Sequence, residues 1–447
     1  MDTNFEKLSS VGLAVPEILL PAKKNDIKTW SAPACDQFTQ DRDFWKRLAS
    51  AIGGAPSTLH MILPEVYIDD DDRAARISAI HTTMRNYVQK QAGVFSLPIN
   101  AGIFVERTTE HGTRRGLVAA IDLEQYNWAP EAKTLIRASE GVIPERIPPR
   151  MEIRRNAPVE TPHIILLIND EDDMFFPLIE KLMRGAPPIY DGELAMGGGS
   201  VKGRLVCRKT DWSFIADYFI HAKRQACTDY GEGNDFVFAV GDGNHSLAAA
   251  KAVWEEHKKE NAGSLDLYNH PIRWALVEIE NTYDSALVFE PIHRLILGVD
   301  EARIFENLKR LPDFSCREAK GPSELLAISS DSSISHNRYG FITKDKALLI
   351  ETSDTNVATV LLDPLLQAAM QDSGPDAKID YIHGTHALFD YVYKSSSSAA
   401  GILLPPFNRK NLFATIAEHG PLPRKSFSMG EPLEKRYYLE SRRISGD

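Results

Sequence analysis

The chain is poor in the features that would assign it quickly. Its 447 residues hold only four cysteines, Cys35, Cys207, Cys227 and Cys316. None forms a C-x-x-C pair, so a disulfide framework and a thioredoxin-type redox motif are not expected, and reduced thiols of the cytoplasm are. No apolar run approaches the roughly 18 residues of a membrane helix. The early apolar stretch 11–15 follows Asp2 and Glu6 and is cut by Pro16, which makes a poor signal peptide. Positive charge is not in surplus either. Lys and Arg number 51 against 62 Asp and Glu, a formal charge of −11, which argues against extensive non-specific contact with nucleic acid or anionic membrane and leaves room for a local basic pocket. The P-loop spacing G-x-x-x-x-G-K-[ST] and the zinc motif H-E-x-x-H are both missing. Gly197-Gly198-Gly199 with Lys202 beyond it therefore reads as a surface turn or a lid over a substrate.

What is present is a strand, a turn and a helix around two glycines. Residues 236–240 are an apolar run of strand length, Gly241-Asp242-Gly243-Asn244-His245-Ser246 is a polar turn, and Leu247-Ala248-Ala249-Ala250-Lys251 opens an Ala-rich helix towards Trp254 and Glu256. The glycines give the turn backbone freedom, and the first amides of a helix lack partners within it. An anion is the natural guest above such a strand end. Asp242 has the chemistry to hold Mg2+ or to polarise a hydroxyl, and His245 with the amides near Asn244 and Ser246 to neutralise phosphate oxygens. A histidine at a helix start is also a common structural hydrogen-bonding residue.

Along the rest of the chain, helix-like and strand-like runs predict an α/β fold, of the α+β kind with a mixed sheet and additional smaller α/β segments. A hairpin is expected over 103–107 and 115–123, strands over 164–168 and 272–280, and helices over 41–52, 73–91 and 214–227. We expect an α/β region over 1–295 that holds the turn, a small inserted or appended α/β unit over 296–355, and a C-terminal region over 356–447 that packs back on the core. Arg137, Arg146, Arg150, Arg154 and Arg155 crowd a short stretch of an acidic protein. They could line an anion pocket with Glu140 or Glu160 as a base, or form a solvated surface paired with local glutamates. Asp36 sits in a loop, either as a cap or as a substrate contact. Arg424, Lys425 and Ser426 lie in a tail whose basic pairs flank hydroxyl residues, a combination suited to phosphate oxygens.

The run 240–250 resembles the DGHHR box, followed by an Ala-containing helix, of a large microbial family of unknown function, the DUF-ten-fifteen family. That box is similar to the phosphate-binding turn of the ParB/sulfiredoxin-like superfamily and of the related free L-serine kinases. Ala34-Cys35-Asp36 matches the family's early loop aspartate, residues 137–140 its arginine and glutamate segment, and Pro423-Arg424-Lys425-Ser426 its late P-x-K-S element. The resemblance implies a ParB/sulfiredoxin-like phosphate-binding core in which Gly243 and His245 bind donor phosphates and Asp242 is their acidic partner. The family's first box histidine is here Asn244 and its final arginine Ser246, which removes a bidentate phosphate donor that Arg294, Arg424 or Lys425 would have to replace. Sulfiredoxin's nucleophilic cysteine falls at Asn244, so sulfinic acid reduction is not expected. DNA binding of the ParB kind is disfavoured by charge and by the lack of an evident helix-turn-helix.

The implied activity is phosphoryl transfer, with Mg2+, from ATP, ADP or pyrophosphate to a small hydroxyl-bearing metabolite, free L-serine giving O-phosphoserine. Asp36 or Glu140 would orient or deprotonate the acceptor, and Gly243, Asn244, Ser246 and Arg137 would hold phosphate. Two other classes stay open. A nucleotide-binding regulator without turnover fits the missing arginine, and a metal-dependent hydrolase would use His383-Gly384-Thr385-His386, whose spacing allows two ligands.

Overall fold

The computed structural model describes residues 3–22, 26–264, 266–331, 333–371, 373–394 and 399–446. The fold is α/β with mixed sheets, and the chain forms two compact units, Met1–Leu287 with Glu431–Asp447, and Val288–Gly430. Residues 296–355 and 356–430 thus lie in one unit, and the last segment of the chain belongs to the other.

In the first unit the main sheet runs, edge to edge, Tyr190–Glu193, Ser200–Val206, Gly102–Thr109, Gly112–Asp122, Trp274–Asn281, Ile165–Ile168, Phe238–Asp242, Ile136–Ala138 and Tyr126–Asn127, with Leu13–Ala14 beside Gly112–Asp122. The first five are joined antiparallel, Ile165–Ile168 lies parallel to Trp274–Asn281, and Phe238–Asp242 lies parallel to Ile136–Ala138. Side chains alternate across this sheet because successive residues of a strand face opposite sides. Phe104, Leu117, Ala119, Ile121, Val277 and Ile279 enter one buried cluster with Phe219 and Trp254. Ile103, Val105, Val118 and Leu276 enter a second cluster with Trp30, Trp45 and Tyr438. Both faces are therefore covered, which explains why these strands read as nearly unbroken apolar runs.

The expected hairpin and central strands form within a few residues of their sequence boundaries, as do helices Arg42–Ile52, Arg73–Tyr87 and Lys209–Tyr230. Asp41 caps the first of these helices by accepting from Phe44 N at 2.8 Å. After Gly430 the chain adds strand Tyr437–Tyr438 against Ala32–Pro33, and strand Ser441–Arg443 between Glu17–Leu19 and Val159–Glu160.

The second unit is built on an antiparallel sheet in the order Ser315–Glu318, Ala347–Glu351, Arg338–Ile342, Ala399–Leu403, Phe289–Leu297 and Lys378–His383, with Phe427–Met429 beside Phe289–Leu297. Its faces pack against helices Glu301–Leu308, Thr359–Met370 and Thr385–Lys394 through Ile304, Leu308, Leu362, Leu366, Leu388 and Val392. Among the described residues, no helix is long and apolar enough to cross a membrane, and all four cysteines are free thiols.

Candidate functional site

The turn at Gly243 joins strand Phe238–Asp242 to helix Asn244–Glu260. Gly243 is the N-cap of this helix with φ +79°, and no side chain caps the helix. The left-handed conformation favours glycine, and space enforces it. A Cβ added here would lie 3.1 Å from Ile164 Cγ1, 3.2 Å from Ile164 Cα and 3.5 Å from His163 Nε2. Behind the turn the helix is anchored by Leu247, Ala250 and Trp254, fully buried, while Ala248, Ala249 and Val253 pack on Ile147 and Met151 of helix Ile147–Arg154.

Around the turn, three buried polar atoms have no hydrogen-bond partner among the described residues. They are Asp242 Oδ2, Asn244 Oδ1 and His163 Nε2. Asp242 Oδ1 accepts from Gly243 N at 2.9 Å, and its Oδ2 lies 3.6 Å from Lys435 Nζ, an ion pair too long for a hydrogen bond. Asn244 Nδ2 donates to Ser139 Oγ at 3.4 Å, and Ser139 Oγ donates to Val240 O, which ties the end of strand Ile136–Ala138 to the turn. Native interiors satisfy nearly all buried polar groups, so three such atoms around one turn make it a candidate site.

Asp36 joins this group from the loop after Ala32–Pro33. Its Oδ2 is 3.5 Å from His163 Nε2 and its Oδ1 accepts from Gln37 Nε2 at 3.0 Å. Burial would raise its pKa, but His163, Gln37 and Lys435 outweigh that and hold the carboxyl well below the usual carboxylate range. Asp36 is therefore a persistent anion, suited to a cation or a hydroxyl donor more than to proton uptake. His163 is fixed from its other side, where Nδ1 meets Tyr438 Oη at 2.8 Å, and Tyr438 Oη accepts from Cys35 N at 3.1 Å. A cavity of about 130 Å³ borders the group, lined by Cys35, Arg150, His163, Ser246 and Tyr438 together with apolar side chains such as Met61 and Met84.

The structure thus gathers Asp36, Asp242, Gly243 and Asn244 around one space, with Ser246 on the bordering cavity. Glu140, half-buried, directly follows Ser139. His245 Nε2 accepts from Ile143 N at 3.1 Å. An amide can only donate, so that ring nitrogen carries no proton and the imidazole helps to fix the 139–143 segment. Lys435, with Arg436, is the second of the tail's basic pairs that the sequence marks as suited to phosphate oxygens, whereas it does not mark His163 and Tyr438 as site residues. Tyr438 is held there by hydrogen-bond partners 275 and 403 residues away, His163 and Cys35, and no local pattern announces that.

The remaining candidates are engaged or belong to the second unit. Arg137 is buried, donates to Thr134 O and Asn234 Oδ1, and lies over the Phe236 ring. Arg150 pairs with Glu65, Arg154 with Glu160, and Arg155 with Glu256; the first two arginines are mostly buried, and only Glu160 is a local partner. Arg294, Arg424, Lys425 and Ser426 belong to the second unit. There Arg294 is fully buried, with Nε and Nη2 on Asp363 at 2.9 Å and Nη1 on Ile292 O and Lys425 O. Ser426 is buried and bonds Pro423 O and Thr359 Oγ1. His383 and His386 are both exposed.

Gly197-Gly198-Gly199 walls a separate cleft of about 870 Å³ with Thr108, Phe38, Leu433 and Glu434. At its rim Glu110, His111 and Glu434 have ligand-type atoms within 4.8 Å of one another, the grouping of that kind among the described residues, and Asp242 is not part of it.

No curated protein matches the sequence. Solved structures resemble the fold distantly. A conserved hypothetical protein from Pyrococcus furiosus is 9% identical with a TM-score of 0.35, over 72% of this chain and 93% of that one. A free serine kinase in complex with AMP is 9% identical with a TM-score of 0.37, over 73% and 91%. SbnI with C-terminal truncation from Staphylococcus aureus is 10% identical with a TM-score of 0.34, over 74% and 83%. At the level of sequence, residues 17–368 match the family described as protein of unknown function (DUF1015), and the chain belongs to that family.

Proposed function

We propose that this protein is a phosphotransferase that binds the phosphates of a donor at the Gly243 turn and passes a phosphoryl group to a small hydroxyl-bearing metabolite, free L-serine being the acceptor we favour. The observation that carries the proposal is the helix N-terminus behind Gly243, without a side-chain cap and ringed by atoms of Asp242, Asn244 and His163 that make no hydrogen bond among the described residues. A helix N-terminus favours an oxyanion, and unfilled acceptors beside it favour the Mg2+ or hydroxyl that accompanies a phosphate chain.

In this reading Gly243 and the first turn of the helix, with Asn244, His245 and Ser246, hold donor phosphate. Asp242 would hold Mg2+, which would supply positive charge against the charge that develops on the phosphate. Asp36, kept ionised, orients the acceptor hydroxyl, with Glu140 the alternative carboxylate for that role. A loose phosphoryl-transfer transition state asks for position and charge more than for a strong base, which agrees with the depressed pKa of Asp36. The donor is ATP, ADP or pyrophosphate.

The experiment is direct. Purified protein is given Mg2+, free L-serine and each donor in turn, and O-phosphoserine is sought by mass spectrometry. Product with at least one donor, lost in Asp36→Asn and Asp242→Asn, is expected. No product with any donor would sink the serine assignment, and failure of every donor to bind would remove the phosphate site with it.

A further inference from the structure

Resting on the reading of the Gly243 turn as a phosphate site, we infer that Lys435 is its cation, the side chain that neutralises the bound oxyanion. A phosphate chain carries more charge than a helix terminus offsets, and the first turn of helix Asn244–Glu260 holds no lysine or arginine. The charge has to arrive from another element.

The nearby guanidinium groups are committed. Arg150 and Arg154, which line the adjoining cavity, pair with Glu65 and Glu160. Arg137 donates to Asn234 and Thr134. Arg436 is buried between Glu278 and Glu440 and donates to Pro162 O. Lys435 differs from all of them. Its side chain is only 12% exposed, and its one ion pair among the described residues is the 3.6 Å contact with Asp242 Oδ2, at which no hydrogen bond forms. An ammonium carries three donors, so a largely buried one held at this distance has bonding capacity for oxyanion oxygens.

The backbone holds Lys435 in place. Glu434 N bonds Glu431 O before it, Arg436 is locked by two carboxylates after it, and Tyr437 and Tyr438 pair with Pro33 and Ala32. The same segment therefore delivers Lys435 to Asp242 and Tyr438 to His163. Lys435 also contributes to the field that lowers the pKa of Asp36, so its charge acts on both carboxylates.

The test is calorimetric titration of the full-length protein with pyrophosphate, at low salt, for the wild type, Lys435→Met, Lys435→Arg, and Lys435→Met combined with Ser246→Arg. Loss of one charge-assisted contact predicts that affinity falls about tenfold or more in Lys435→Met, stays within about threefold in Lys435→Arg, and is largely regained when an arginine is placed at position 246 on the helix's first turn. A merely structural lysine would not be rescued by charge returned from a different element. Unchanged affinity in Lys435→Met overturns the inference while leaving the phosphate site standing. No binding by the wild type overturns both. Should Lys435→Met fail to fold, acylation of the wild type followed by peptide mass mapping decides. Pyrophosphate is expected to protect Lys435, and equal labelling with and without it refutes the assignment.

Discussion

Replacing Gly243 by alanine tests the geometry of the turn most sharply. Two costs add. A left-handed backbone, here φ +79°, costs a residue with a Cβ about 1–2 kcal/mol. The new methyl also meets Ile164 at 3.1 Å on the side chain and 3.2 Å on Cα. The side chain of Ile164 has some freedom to yield, whereas its Cα, one residue before the buried strand Ile165–Ile168, does not, and such overpacking adds about 1 kcal/mol. The total is about 2–3 kcal/mol. For a unit of about 300 residues, an unfolding entropy of about 2.1 cal/mol/K per residue converts this to a fall in Tm of about 3–5 °C. Scanning calorimetry on the wild type, Gly243→Ala and Gly243→Asn provides the comparison, because asparagine tolerates the left-handed region far better while adding the same Cβ. We expect the asparagine variant to lose clearly less than the alanine variant. A melting temperature for Gly243→Ala within about 1 °C of wild type, or equal losses for the two variants, would refute the conformational argument. Retention of pyrophosphate affinity in a folded Gly243→Ala variant would separate the turn from the proposed phosphate site.

The other predictions concern charge. Because the folded pKa of Asp36 is depressed, its contribution to stability is present above the ordinary aspartate value of about 3.9 and is lost as pH falls through the folded value. The advantage of wild type over Asp36→Asn in urea unfolding is therefore expected at pH 7 and should shrink below about pH 4. In the second unit, burial first and then Arg294 and His383 lower the pKa of His293 to about 4, and its Nδ1 accepts from Leu404 N at 3.2 Å. A histidine kept neutral in this way stabilises above its unfolded pKa, near 6.5, and that stability drains as pH falls from about 6.5 to about 4. His293→Asn is expected to be less stable at pH 7 but to lose this slope, as followed by thermal melts across the range. Arg294→Met strands Asp363, whose pKa burial already raises, and is expected to cost about 3–5 kcal/mol, less whatever protonation of Asp363 recovers. Arg294→Met with Asp363→Leu should restore most of the loss in chemical denaturation.

Much of the fold was legible in the chain because it is local. The apolar runs within 102–109 and 112–122 mark strands covered on both faces, and the i, i+3, i+4 spacing of Phe44, Trp45, Leu48 and Ile52 marks a helix, capped by Asp41. The Gly243 turn was equally legible, since a strand, two glycines and an Ala-rich helix stand side by side. Asp36 was marked as a candidate, but its alternative role as a helix cap falls to Asp41, five residues on.

What tertiary structure decided was which side chains surround that turn. Arg137, Arg294 and Lys425 carry the charge type a phosphate needs, and charge type is all a sequence displays. Whether a guanidinium is free depends on acceptors brought in by distant strands, as Asn234 is for Arg137 and Asp363 for Arg294. Lys435 reaches the site beside strand Tyr437–Tyr438, which pairs with Ala32–Pro33 at the opposite end of the chain, and His163 beside strand Ile165–Ile168, which pairs with Phe238–Asp242. Periodicity and turn chemistry are properties of neighbours in sequence, so the chain by itself determined the strand, the turn and the helix. The pairing of charges is a property of neighbours in space, so only the folded structure determined what stands around them.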